Sequence, residues 1–166
     1  SDAGATSVDI TGLLDVSGTE ITLGSGTFNA GSLTFTSGGL VTISEDTSLD
    51  LVGVNTADIA DLDSTAAVSD AGATSVDITG LIDVSGTEIT LGSGTFNAGS
   101  LAFTSAGLVT ISEGSSLDLV GVNTAGIADL DSTAAVSDAG AVSVDVTGLL
   151  DVSGTSIALG SGTSVF

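Results

Sequence analysis

The chain has 166 residues, draws on only eleven of the twenty amino acids, and carries twenty-one Asp and Glu with no Lys, Arg or His, for a formal charge of -21. Such a charge argues against nucleic acid and anionic membrane surfaces as partners. With His, Cys, Lys, Arg and Tyr all missing, a Ser-His-Asp triad, a thiolate zinc site and a lysine-dependent phosphate loop are excluded by inventory, and the expectation is a protein that is not an enzyme.

In chain order, the first alternating run is Val8-Asp9-Ile10-Thr11, where apolar and polar residues exchange at period two, the signature of a strand. Gly24-Ser25-Gly26 and Asn29-Ala30-Gly31 then punctuate the chain and supply the conformational freedom of sharp turns. Leu33-Thr34-Phe35-Thr36 repeats the strand pattern, Ser37-Gly38-Gly39 breaks it, and Leu49-Asp50-Leu51-Val52 resumes it. No stretch carries a helical stripe with caps. Acidic chains with few aromatics are often disordered, but 42% hydrophobic residues and a mean hydropathy of +0.60 oppose that reading here.

Residues 69–136 repeat residues 1–68 with six substitutions: Leu14 becomes Ile82, Thr34 Ala102, Gly38 Ala106, Asp46 Gly114, Thr47 Ser115 and Asp58 Gly126. A third copy occupies 137–166, in register to Thr163. These are three units of one continuous body, the last partial. No basic, apolar leader opens the chain and nothing reads as a membrane span, so the sequence reads as a mature chain or a fragment.

A unit repeated almost verbatim asks for the same environment repeatedly, which translation along an axis provides and a closed sandwich does not. The expected fold is all-β, a β-solenoid. Cutting the unit at its turns gives three coil-sized phrases, IADLDSTAAVSDAGATSVDITG, LLDVSGTEITLGSGTFNAG and SLTFTSGGLVTISEDTSLDLVGVNTAD. That predicts about three coils per unit, a rise of about 14 Å, and roughly seven coils over about 35 Å. The resulting charge density is on the order of that of duplex DNA, so lateral association of two rods should be resisted at low salt and eased by divalent cations.

SGTEITLGSGTFNAGSLTFTSGGLVTIS at 17–44, its copy at 85–112, and the flanking LDST and LDLVGVNTA segments resemble the right-handed β-helix repeats of filamentous-haemagglutinin-like adhesins and other large bacterial surface proteins. The resemblance covers essentially the whole chain. It implies a right-handed parallel β-helix, secretion to the bacterial cell surface, and service as a stalk or filament, with receptor binding carried by other segments.

Among candidate sites, Asp58, Asp61 and Asp63, with Asp129 and Asp131 in the second unit, form the densest acid cluster, and calcium takes several carboxylate oxygens at once. Loss of Asp58 to Gly126 and the absence of a GGxGxDxUx pattern set against it a solvated acidic face. Paired carboxylates can cleave glycosidic bonds, but these recur with the repeat instead of converging once. Phe28, Phe35, Phe96 and Phe103 are expected in the core. Asn29, Asn55, Asn97 and Asn123 are expected at coil corners, with side-chain amides bonding along the stack. No cofactor beyond that calcium is expected. The partners are further copies or units of the chain, end to end or side by side, and divalent cations. The functional expectation is a structural filament segment; the alternative is an adhesin-type module with calcium-dependent cohesion.

Overall fold

The alternating runs form strands, and every strand pairs in parallel with strands one coil away. The computed structural model describes residues 1–165. It is a parallel β-solenoid of about eight coils, 75% strand and, among the described residues, without helix. The step from one coil to the next varies from 18 residues, where Leu51 stacks on Leu33, to 22, where Ile82 stacks on Ala60.

Each coil has three faces. In the first coil the strand Ser7–Gly18 supplies two of them, bending where the register slips between Ile10 and Leu13, and Ile21–Leu23 supplies the third. Inward residues form one continuous apolar column through the body. Phe28, Phe35, Phe96 and Phe103 are its largest members and are fully buried.

Successive units do not stack in phase. Val8 lies against Phe28. Its counterpart Val76 instead joins the column of Val16, Phe35, Asn55 and Phe96, and Val144 that of Val84, Phe103, Asn123 and Ser164. Each unit therefore advances by one face beyond three whole coils. The simple three-coil unit is refined to three coils and a third, with a rise of about 16 Å at roughly 4.8 Å per coil. Sixty-eight residues thus make ten faces, and the same surface returns to the same side after three units.

Two substitutions between units fall on neighbouring coils at one contact. A Cβ at Gly126 would stand 2.5 Å from the Ala106 carbonyl oxygen, whereas a Cβ at Gly38 would meet nothing within 4 Å. Asp58 over Gly38-Gly39 in the first unit becomes Gly126 over Ala106-Gly107 in the second, so bulk moves from one coil to its neighbour.

Candidate functional site: stacked acids and buried carboxylates

Like charges in register repel across a 4.8 Å ladder, and most acids here avoid that arrangement. Asp9 stacks on Asn29, Asp15 on Thr34, Asp50 on Ser69 and Asp77 on Asn97. The exceptions fall at the junctions between units, where Asp61 is in register with Asp83 and Asp129 with Asp151. Burial, then the charges of Asp63 and Asp83, push the Asp61 carboxyl above its ordinary value. Burial and Asp63 do the same to Asp83. Asp129 is raised by burial and by Asp131 and Asp151. Ser85 donates its hydroxyl to Asp63, and Ser153 to Asp131, across the same junctions.

The structure places the candidate calcium residues apart in role. Asp58 stands at a corner and accepts from the Thr79 hydroxyl at 3.0 Å, while Asp61 and Asp63 lie on the following strand, Ile59–Ser64. Among the described residues, no group of three or more acidic side chains is disposed to hold a metal ion. A groove of about 330 Å³, open to solvent, is lined by Ser37, Thr56, Asp58, Asp77 and Thr79. Its counterpart in the second unit lacks a carboxylate at Gly126.

Among the described residues four carboxylates are buried: Glu45, Asp70, Glu113 and Asp138. The Asp70 oxygens accept from the backbone N–H of Gly92 at 2.7 Å and of Ser93 at 3.1 Å in the next coil. Asp138 does the same for Gly160 and Ser161 at 2.6 and 3.1 Å, and the half-buried Asp2 for Gly24 and Ser25 at 2.8 and 3.2 Å. The clipped turn needs its glycine. Gly24 has φ +104 and Gly92 φ +118, and a Cβ at either would stand 2.5 Å from a carbonyl oxygen of the coil above. Burial raises the pKa of Asp2 and of Asp138, but the turn's hydrogen bonds outweigh it and hold both below 3.8.

Glu45 accepts the Ala30 N–H at 3.0 Å and the Thr47 hydroxyl at 2.9 Å. Glu113 accepts Ala98 N–H at 3.1 Å and Ser115 Oγ at 2.9 Å, so the Thr-to-Ser exchange at 115 preserves the donor. Burial dominates for both acids, and their pKa values lie above 4.5 despite these bonds. The Asp46-to-Gly114 exchange removes a carboxylate that accepts the Phe28 N–H at 2.8 Å in the first unit.

The four asparagines divide into two kinds. Asn55 is fully buried, takes the Phe35 N–H of the preceding coil on Oδ1 at 3.1 Å, and donates Nδ2 to the Val52 carbonyl at 3.0 Å. Asn123 makes the same pair of bonds to Phe103 and Val120. Asn29 and Asn97 are half-buried strand residues, stacked on Asp9 and Asp77, and Asn29 Oδ1 is buried without a partner. The expectation of a corner position is corrected for Asn29 and Asn97: within Thr27–Ser37 and Thr95–Thr104 each lies inside a strand, between two core residues, and not at a corner.

Carboxylates and hydroxyls arranged this way satisfy backbone donors and join coils. No family model, curated protein or solved structure matches the chain.

Proposed function

We propose that this chain is a non-catalytic structural segment of an extracellular bacterial filament or surface fibre, similar in kind to the β-helical stalks of filamentous-haemagglutinin-like proteins. The observation that carries the reading is the advance of one face per unit. Any feature of the unit is repeated on all three sides of the rod, an arrangement suited to a uniform shaft and not to a single site. The acids that face solvent keep neighbouring shafts apart at low salt. Those turned inward, Asp70 and Asp138, tie one coil to the next.

A second reading, an adhesin-type module with calcium-dependent cohesion, draws on the in-register pairs Asp61–Asp83 and Asp129–Asp151, whose repulsion a divalent cation shared between rods would relieve. Antibody labelling of intact cells, with denaturing mass measurement of the shed material, tests the fibre reading. Surface label on thin filaments is the expected result, and label confined to the cell interior overturns it. Loss of cohesion on adding a chelator, with β-structure kept, would favour the second reading.

A further inference from the structure

In a rod built from near-identical units, the places where the units differ are informative. Two of the six substitutions between the first and second units, Gly38 to Ala106 and Asp58 to Gly126, fall on the lining of one feature. It is the open groove of about 330 Å³ bounded by Ser37, Gly38, Thr56, Asp58, Asp77 and Thr79. The groove lies within the body of the rod, where three successive coils meet. Asp58 N–H donates to the Gly39 carbonyl at 3.1 Å, and Thr56 is in register with Thr36 of the coil before and Asp77 of the coil after.

Both substitutions subtract from the groove. A Cβ at Gly38 meets no atom within 4 Å, so the methyl group of Ala106 stands in space that the first unit leaves open. Gly126 removes one of the two carboxylates, while Ser105, Thr124, Asp145 and Thr147 keep the other polar positions. The chain therefore carries the same groove twice, once open with two acids and once narrowed with one.

Asp58 and Asp77 are exposed and come from neighbouring coils, and Ser37 and Ala57 are buried members of the lining. The Thr79 hydroxyl, donating to Asp58 at 3.0 Å, holds that carboxylate in place. The chain has no Lys, Arg or His to neutralise either acid. Calcium takes about 6–8 oxygen ligands, and among the described residues no group of three or more acidic side chains is disposed to hold a metal ion. A guanidinium fork matches a single carboxylate. A primary ammonium group instead spreads three N–H donors around one nitrogen, which carboxylates on two coils and a threonine hydroxyl oxygen can accept together, in bonds strengthened by charge.

We infer that this groove binds a primary ammonium group, with Asp58 and Asp77 as its anionic acceptors, and that its counterpart in the second unit does not. A free alkylamine and the lysine side chain of a partner protein offer the same chemistry, and the open side of the groove admits either.

The test is a titration of the 166-residue chain, followed by backbone amide resonances, with butylamine hydrochloride, acetyl-Gly-Lys-Gly-amide, tetramethylammonium chloride and calcium chloride at constant ionic strength. Saturable shifts at Gly38, Gly39, Asp58 and Thr79 are expected with butylamine or the lysine peptide. Affinity at Ala106, Gly107, Gly126 and Thr147 should be at least about tenfold weaker, given the lost charge-assisted bond. The tighter of the two ligands shows whether a small amine or a partner's lysine is the source. Gly38→Ala with Asp58→Gly writes the second unit's residues into the first and should abolish the site. Ala106→Gly with Gly126→Asp does the reverse and should create a second site of similar affinity. Each pair already occurs in the folded rod, so neither exchange brings an untried combination to the contact. Equal shifts in both grooves, or tetramethylammonium binding as tightly as butylamine, would reduce the effect to counterion attraction by an acidic rod and overturn the proposal. Saturation by calcium in place of the amines, or no saturable binding, also overturns it, and none of these outcomes bears on the fibre reading.

Discussion

Replacing Asp70 by Ala removes a fully buried carboxylate that accepts two backbone N–H groups of the next coil at 2.7 and 3.1 Å. A buried donor left without a partner costs about 1–3 kcal/mol. Gly92 is half-buried and Ser93 exposed, so water replaces part of the second bond, and the combined loss should be about 2–4 kcal/mol. In a solenoid that loss is felt mainly in neighbouring coils, which makes amide hydrogen exchange the sharper assay. Gly92 and Ser93 should exchange faster by about 30- to 1,000-fold, at roughly 1.4 kcal/mol per tenfold. Gly24, Ser25, Gly160 and Ser161, clipped by Asp2 and Asp138, serve as unaltered controls in the same molecule. Unchanged exchange at Gly92 and Ser93 would refute the clip.

Gly92→Ala, forced into φ +118 with its Cβ 2.5 Å from the Ser112 oxygen, should lower stability by about 2–4 kcal/mol in urea denaturation, whereas Gly38→Ala, with open space around it, should change it by less than about 0.5 kcal/mol. Asn123→Ala orphans Phe103 N and the Val120 carbonyl and should cost about 2–4 kcal/mol; Asn97→Ala, at a half-buried position, should cost clearly less in the same assay. Protonation has two opposed effects. Glu45, Asp61, Asp83, Glu113 and Asp129 have raised pKa values, so their contribution is fully present below the ordinary values of 4.5 for Glu and 3.8 for Asp and is lost as pH rises through the folded values. For Asp2 and Asp138 the values are lowered, so their contribution is present above 3.8 and lost as pH falls through the folded values. The urea midpoint should therefore rise from neutrality toward mildly acid pH and fall again below 3.8; a midpoint that only falls on acidification would contradict these assignments.

Strand positions and the core were legible because period two survives along each face: Val76 and Ile78, or Leu33 and Phe35, point inward together. The coil count per unit was not fully legible. Turn residues mark corners, but coil steps from 18 to 22 residues let ten faces of unequal length fit into three phrases, and the extra third of a turn has no residue of its own to announce it. The buried acids did leave a signal. Asp70 follows Val68 by two and Glu45 follows Ile43 by two, the inward parity of their strands, but an acid in an acidic chain reads by default as a solvent-facing one. The same parity would have placed Asn29 beside the core residues Phe28 and Ala30, on the outward face and away from the corner.

Helical reconstruction of filaments isolated from cells tests the central claim most directly. A shaft built from these units should show strand spacing near 4.8 Å, with each 68-residue unit related to the next by a rise of about 16 Å and a rotation of a third of a turn, the surface repeating after about 48 Å. Units stacked directly above one another at about 14 Å, or discrete particles without an axial repeat, would contradict it.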